Sequence, residues 1–83
     1  DLSINLDLSK IKVSKIFKWL KKKNISDKEM IKTFNCGVGF CVISNKNNFK
    51  NIKRNFSKKY MPYEIGYISK SENKVNLINN LRW

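Results

Sequence analysis

The sequence predicts an α+β fold, with helices packed on a small mixed sheet, in a single unit or part of one. Three observations carry this. Apolar residues recur with helical spacing in two lysine-rich stretches. They alternate in one N-terminal segment, and they run unbroken in a β-rich segment near the middle of the chain. Eighty-three residues allow one small domain and exclude a catalytic domain joined to a regulatory one.

Leu2, Ile4, Leu6 and Leu8 alternate with Ser3, Asn5 and Asp7, the period of a half-buried strand. Val13, Ile16, Phe17 and Leu20 then fall at i, i+3, i+4 and i+7, with Lys15, Lys18, Lys21 and Lys22 on the other side, so Val13 to Lys23 predicts an amphipathic helix. Lys21–Lys23 suit its C-terminus, whose free carbonyls attract cations, and Asn24 suits a left-handed cap. Ser26 and Glu29 have capping-box spacing, which predicts a short helix through Lys32. Val38 to Ser44 (VGFCVIS) reads as a strand covered on both faces and central in the sheet. After the turn-forming Asn45 to Asn48, Phe49, Ile52 and Phe56 predict a third helix that Pro62 stops. Tyr63 to Ser69 and Lys74 to Ile78 read as a hairpin around Lys70–Asn73, and the tail from Asn79 to Trp83 as fraying.

Eighteen Lys and Arg against six Asp and Glu give a net charge of +12. Such a charge invites a polyanionic partner. However, sixteen of the eighteen cations are Lys, and Lys, Asn and Ile together fill 38 of 83 positions. All three are encoded by A- and T-rich codons, so base composition accounts for the lysines, and Arg, which reads phosphates and guanines bidentately, is scarce. The rival reading from another class is a small basic RNA-binding module using Trp19, Tyr60, Tyr63 and Tyr67.

The chain has no His and only two cysteines, Cys36 and Cys41. A structural zinc site and the usual nucleophile-plus-base pairs are therefore excluded. Both cysteines read as small buried hydrophobes, and Trp19 as a ring covering a neighbouring element. No apolar run approaches the roughly 20 residues of a membrane-spanning helix. A reducing cytoplasm is the expected compartment. The chain opens at Asp1 without Met, directly on a strand pattern, which reads as a piece of a longer protein.

The segment Glu29-Met30-Ile31-Lys32-Thr33-Phe34-Asn35-Cys36-Gly37-Val38-Gly39 runs from a helix end through a Gly-x-Gly loop. Glycines there let backbone donors approach a ligand oxygen, Lys32 adds a cation, and Thr33 and Asn35 add polar groups. By itself, a Gly-x-Gly is more simply explained by tight chain packing.

The longer string, with Phe17-Lys18-Trp19-Leu20 before it and Ile65-Gly66 after, resembles the carboxy-terminal part of the phosphoribosylformylglycinamidine cyclo-ligase (aminoimidazole ribonucleotide synthetase) family. The likeness runs from about Ile11 to Ile78. The family pattern is F-x-W-L followed by E-M-x-R-T-F-N-x-G-x-G-M, and here Lys32 stands for Arg and Phe40 for Met. The resemblance implies an ATP-dependent step of purine synthesis that closes the imidazole ring of formylglycinamidine ribonucleotide. It further implies ATP and Mg held mainly by an amino-terminal domain outside these residues, and a homodimeric parent enzyme. It implies too that Lys32, Thr33, Asn35, Gly37 and Gly39 position substrate or phosphate, with no acid, base or nucleophile among them.

Overall fold

The computed structural model describes residues 1–83. The chain forms β1 (Leu2–Asp7), a 3-10 turn (Leu8–Lys10), α1 (Lys15–Lys21) and α2 (Asp27–Thr33). A 3-10 turn (Lys46–Asn48) then runs into α3 (Phe49–Lys53), and another (Lys58–Tyr60) precedes β2 (Gly66–Lys70) and β3 (Val75–Ile78). The fold is α+β, as expected.

The sheet order is β2-β1-β3, with β1 antiparallel to β2 and parallel to β3. Ile4 is paired with Ile68 on one side and Val75 on the other, in an apolar row on one face. The opposite face carries a polar ladder. Asn5 Nδ2 donates to Ser69 Oγ at 2.9 Å and to the Tyr67 carbonyl at 3.3 Å, and its Oδ1 accepts from Asn76 Nδ2 at 2.9 Å. A slip of one residue would turn Asn5 into the apolar row, so this ladder fixes the register. At the end of β1, Asp7 Oδ1 accepts from Ser9 Oγ at 2.6 Å and Asn79 Nδ2 at 3.0 Å. Those bonds hold its carboxyl below the ordinary carboxylate range.

Three expectations about strands and tail are corrected here. First, β2 and β3 are joined as expected through Ser71–Lys74 but do not pair with each other, because β1 lies between them. The connection spans two strand spacings, roughly 9.5 Å, well within the reach of four residues. It is tied to the start of β1 through Ser71 N–H to the Asp1 carbonyl, Ile4 N–H to the Lys74 carbonyl, and Leu2 N–H to Asn73 Oδ1. Asn73 takes the left-handed conformation that closes the turn.

Second, Val38–Ser44 is neither a strand nor central. It joins no ladder, and Phe40 and Ile43 are 86% and 71% exposed. An unbroken apolar run needs neighbours on both sides, and both edges of β1 are already taken. Third, the tail is docked: Leu81 is buried, and Trp83 Nε1 donates to Asp27 Oδ1 at 3.0 Å.

The core lies beyond the end of β1 rather than on the sheet face. Leu8, Met30, Cys36 and Leu81 form its buried centre, with Phe17, Leu20, Ile31 and Phe34 packed around them. The Phe17 and Phe34 rings meet at 5.9 Å. The helices are shorter than their patterns. α1 starts at Lys15 because Ser14 N–H donates to the Cys36 carbonyl, holding Val13 outside the helix. Asn24 is the expected left-handed cap. Only half of the capping box forms: Ser26 Oγ accepts from Glu29 N–H, while the Glu29 carboxylate takes Thr33 Oγ1 instead. α3 ends at Lys53 with Phe49 and Ile52 half-buried, and Phe56 beyond it remains exposed.

The molecule is a slab of 41 × 36 × 17 Å with a radius of gyration of 14.2 Å. A compact chain of this length has a radius of roughly 12 Å. Its accessible surface is 7002 Å², whereas a compact monomer of this mass exposes about 5,200 Å². Apolar residues share in this exposure: Leu2, Val75 and Leu77 on the sheet, and Phe40, Val42 and Ile43, are at least half exposed.

A Cβ at Gly66 would collide with the Asn5 carbonyl oxygen across the β1–β2 ladder. Gly66→Ala is therefore expected to destabilise the chain by at least about 2 kcal/mol in urea unfolding. An unchanged midpoint would contradict the register.

Candidate functional site

The loop leaving α2 is shaped by two residues with positive φ, Cys36 at 55° and Gly37 at 116°. Asn35 organises it. Its Oδ1 accepts from Gly37 N–H at 2.9 Å and its carbonyl accepts from Val38 N–H at 3.0 Å. This is the local side-chain-to-backbone closure that Asn favours in turns. Asn35 Nδ2 has no partner within the chain.

The two glycines do different things. A Cβ at Gly37 would lie 2.7 Å from Ser14 Oγ and 3.0 Å from the Lys12 carbonyl, so Gly37 is required for packing against the segment before α1. At Gly39 a Cβ would meet nothing within 4 Å. Neither Gly39 N–H nor Phe40 N–H bonds to another residue of the chain. Gly39 thus has an unpaired N–H and no packing that requires a glycine, while Gly37 follows the simpler structural explanation.

Lys32, Thr33, Asn35, Gly37 and Gly39 are all exposed. The loop brings Asn35 and Gly37 into direct contact. Thr33 is turned away, its Oγ1 donating to Glu29 Oε1 at 2.8 Å. Lys32, in the last turn of α2, forms no ion pair.

Two recesses flank the loop. The smaller, about 230 Å³, is lined by Leu8, Ile31, Phe34, Leu81 and other apolar residues, with Asn35 its one polar member. The larger, about 940 Å³, runs from Gly37, Gly39 and Phe40 across to Phe49, Phe56 and Tyr60. Sequence reasoning did not identify this second wall. Its signal was available in the aromatic spacing of Phe49, Phe56, Tyr60 and Tyr63. Tyr63 also ties the wall back to the start of α1, its hydroxyl accepting from Lys12 N–H at 3.0 Å while Lys12 Nζ lies 4.7 Å from its ring centroid.

Other sequence expectations divide. Cys36 is buried, and burial pushes its thiol pKa up. Cys41 is exposed, contrary to expectation, because Val38–Ser44 is uncovered. Trp19 is 54% exposed, with Lys23 Nζ 4.8 Å from its ring centroid. No three His, Cys, Asp or Glu side chains converge as metal ligands. No helix is long and apolar enough to cross a membrane.

The site thus defines an α+β chain with unpaired backbone groups and a free carboxamide N–H beside an open, largely apolar groove. The comparisons give this chain a family. Residues 1–78 match the family described as AIR synthase related protein, C-terminal domain, and the chain belongs to it. It is 38% identical over 79 residues to the phosphoribosylformylglycinamidine cyclo-ligase of Streptococcus pneumoniae serotype 4, covering 94% of this chain and 23% of that protein. It is 45% identical over 47 residues to the trifunctional purine biosynthetic protein adenosine-3 of Chironomus tentans, covering 55% of this chain and 3% of that protein. The human protein of the same name is 33% identical over 58 residues, covering 69% of this chain and 6% of that protein. The chain thus spans less than a quarter of the length of these relatives. No solved structure matches it at comparable stringency.

The exposure difference between the thiols gives a direct test. Brief iodoacetamide treatment near pH 8 followed by peptide mass spectrometry is expected to label Cys41 well before Cys36. Equal labelling rates would contradict the placement of Cys36 in the core.

Proposed function

We propose that the chain is the carboxy-terminal part of an ATP-dependent cyclo-ligase that converts formylglycinamidine ribonucleotide to aminoimidazole ribonucleotide, releasing ADP and phosphate. In this reading the amide oxygen of the substrate receives the γ-phosphoryl group of ATP. A nitrogen of the same molecule then attacks the activated carbon, the imidazole ring closes, and phosphate leaves. The observation that carries the reading is the family match over nearly the whole chain, together with the name borne by the relative that aligns over 94% of it.

The loop's geometry supports a positioning role. Because Asn35 Oδ1 is committed to Gly37 N–H, its Nδ2 protons are the ones left to donate to a substrate or phosphate oxygen. Gly39 N–H adds a second donor, and Lys32 supplies a long-range cation without the bidentate geometry of Arg. Thr33, bound to Glu29, holds the end of α2 and thereby the start of the loop. Gly37 sets the turn. Donors fixed in advance around developing negative charge stabilise it without reorganising.

Mg²⁺ does not fit this chain's own residues, which offer no converging carboxylates. ATP and Mg belong in this reading to an amino-terminal domain that these 83 residues do not include, within a homodimeric parent. The uncombined thiols of Cys36 and Cys41 suit a reducing cytoplasm.

A chimera tests the reading: the Streptococcus pneumoniae cyclo-ligase with its matching region replaced by this chain. Substrate-dependent ADP release is expected from the chimera and none from the 83 residues alone. Asn35→Asp keeps the acceptor for Gly37 N–H but removes the donor and adds negative charge. It is expected to lower kcat/KM on the order of 10²-fold with little change in Tm. Turnover that survives Asn35→Asp, or falls only in step with Tm, would refute a ligand role for Asn35.

A further inference from the structure

The residues after β3 lie beyond the family match, which ends at residue 78, yet they reach back to the candidate site. We propose that Asn79–Trp83 is a positioning strap: Leu81 and Trp83 act through α2 to set the Asn35 loop, so that the Asn35 carboxamide donates in a fixed direction to an anionic ligand. The ligand role of Asn35 rests on the reading given under Proposed function; the strap itself rests on contacts within the molecule.

A short polar tail ordinarily frays unless something ties it down. This one is tied at every second residue. Asn79 takes the left-handed conformation, with φ 59°, and its Nδ2 donates to Asp7 Oδ1 at 3.0 Å, at the end of β1. Leu81 is buried with Leu8, Met30 and Cys36. Trp83 Nε1 donates to Asp27 Oδ1 at 3.0 Å. Asn80 and Arg82, between these anchors, are exposed, the alternation of an extended segment with one side inward.

The last two anchors grip α2 at both ends. Trp83 reaches Asp27, its first residue, while Leu81 packs with Met30 within it and with Cys36 just past it. Leu81 also lines the recess that Asn35 borders. Lys21 of α1 completes the grip: its Nζ lies 3.2 Å from Asp27 Oδ1, donates to the Ile25 carbonyl at 2.8 Å and sits 6.0 Å from the Trp83 ring centroid. α2 has only seven residues, and so short a helix has little stability of its own. Its direction is therefore set by what touches it. Apart from the bonds at Asp27, the polar tie between Ser26–Gly39 and the rest of the chain is Ser14 N–H to the Cys36 carbonyl, at 3.3 Å. Releasing the strap frees the start of α2 and loosens the packing at its exit, and Asn35, two residues beyond that exit, moves with it.

Nuclear magnetic resonance of the 83-residue chain and kinetics of the chimera test this together. Trp83→Phe keeps an aromatic ring but removes the indole N–H. In the isolated chain it is expected to speed amide exchange at Gly37, whose N–H is held by Asn35 Oδ1, on the order of 10-fold. The Asp7 amide, bonded to the Ile65 carbonyl across the sheet, should change by less than about twofold. In the chimera Trp83→Phe should lower kcat on the order of 10-fold with the KM for ATP unchanged. Leu81→Ala should act alike in both measurements, and Leu81→Met, which refills the core, should restore both. Where Leu81→Ala does not fold, Trp83→Phe decides. Gly37 and Asp7 amides that speed up in step would make the tail a general stabiliser and overturn the inference. Gly37 exchange that stays the same overturns it too, as does faster exchange with turnover unchanged. A chimera that is inactive with the unaltered tail counts against the cyclo-ligase reading alone, and Gly37 exchange in the isolated chain then decides whether the strap holds the loop.

Discussion

The fold depends on both edges of one strand. β1 pairs with β2 on one side and β3 on the other, and Asn5 bonds to both neighbours at once through its carboxamide. A single side chain therefore fixes two registers. Because its partners are more than sixty residues away in sequence, these pairings close long loops, and their entropic cost grows only slowly with length. Everything else follows from where β1 ends. Its chain turns at Leu8 into the core, where Met30, Cys36 and Leu81 meet it. That cluster fixes the end of α2, and hence the position of the Asn35–Gly39 loop.

The same arrangement leaves one face open. With both edges of β1 occupied, Val38–Ser44 has no strand to join, and the apolar row through Ile4 is bare on its outer side. The candidate site lies where the two halves of the molecule differ most. Gly37 packs against the chain before α1, whereas Gly39, two residues later, faces open space. The loop is thus held at one end and free at the other. Only four residues form the buried apolar centre, and the other two buried residues, Ser3 and Asn5, lie on the polar face of β1.

Much of this was legible in the residues. The alternation from Leu2 to Leu8, the left-handed Asn24, the Ser26 cap and the α+β order all follow from local chemistry that tertiary contacts do not override. The string around Asn35 pointed to the correct family because it is long and unusual in composition. What was not legible depended on partners distant in sequence. A continuous apolar run reads alike whether it is paired or awaiting a partner, so Val38–Ser44 looked central and Cys41 looked buried. The intercalation of β1 between β2 and β3 is invisible to local turn signals, which read Lys70–Asn73 as a simple hairpin. Leu81 and Trp83 lie in a short polar tail, and only the core cluster around Met30 and the carboxylate of Asp27 reveal why they are held. The unequal roles of Gly37 and Gly39 likewise depend on Ser14, more than twenty residues earlier.

The central claim is that β1 completes the sheet and leaves Val38–Ser44 unpaired. Cross-strand nuclear Overhauser effects in the 83-residue chain test it most directly. Contacts from Ile4 to both Ile68 and Val75, with no cross-strand contacts from Gly39 to Ser44, are the expected result. Contacts between Val42 and β1, or between β2 and β3 directly, would contradict the account.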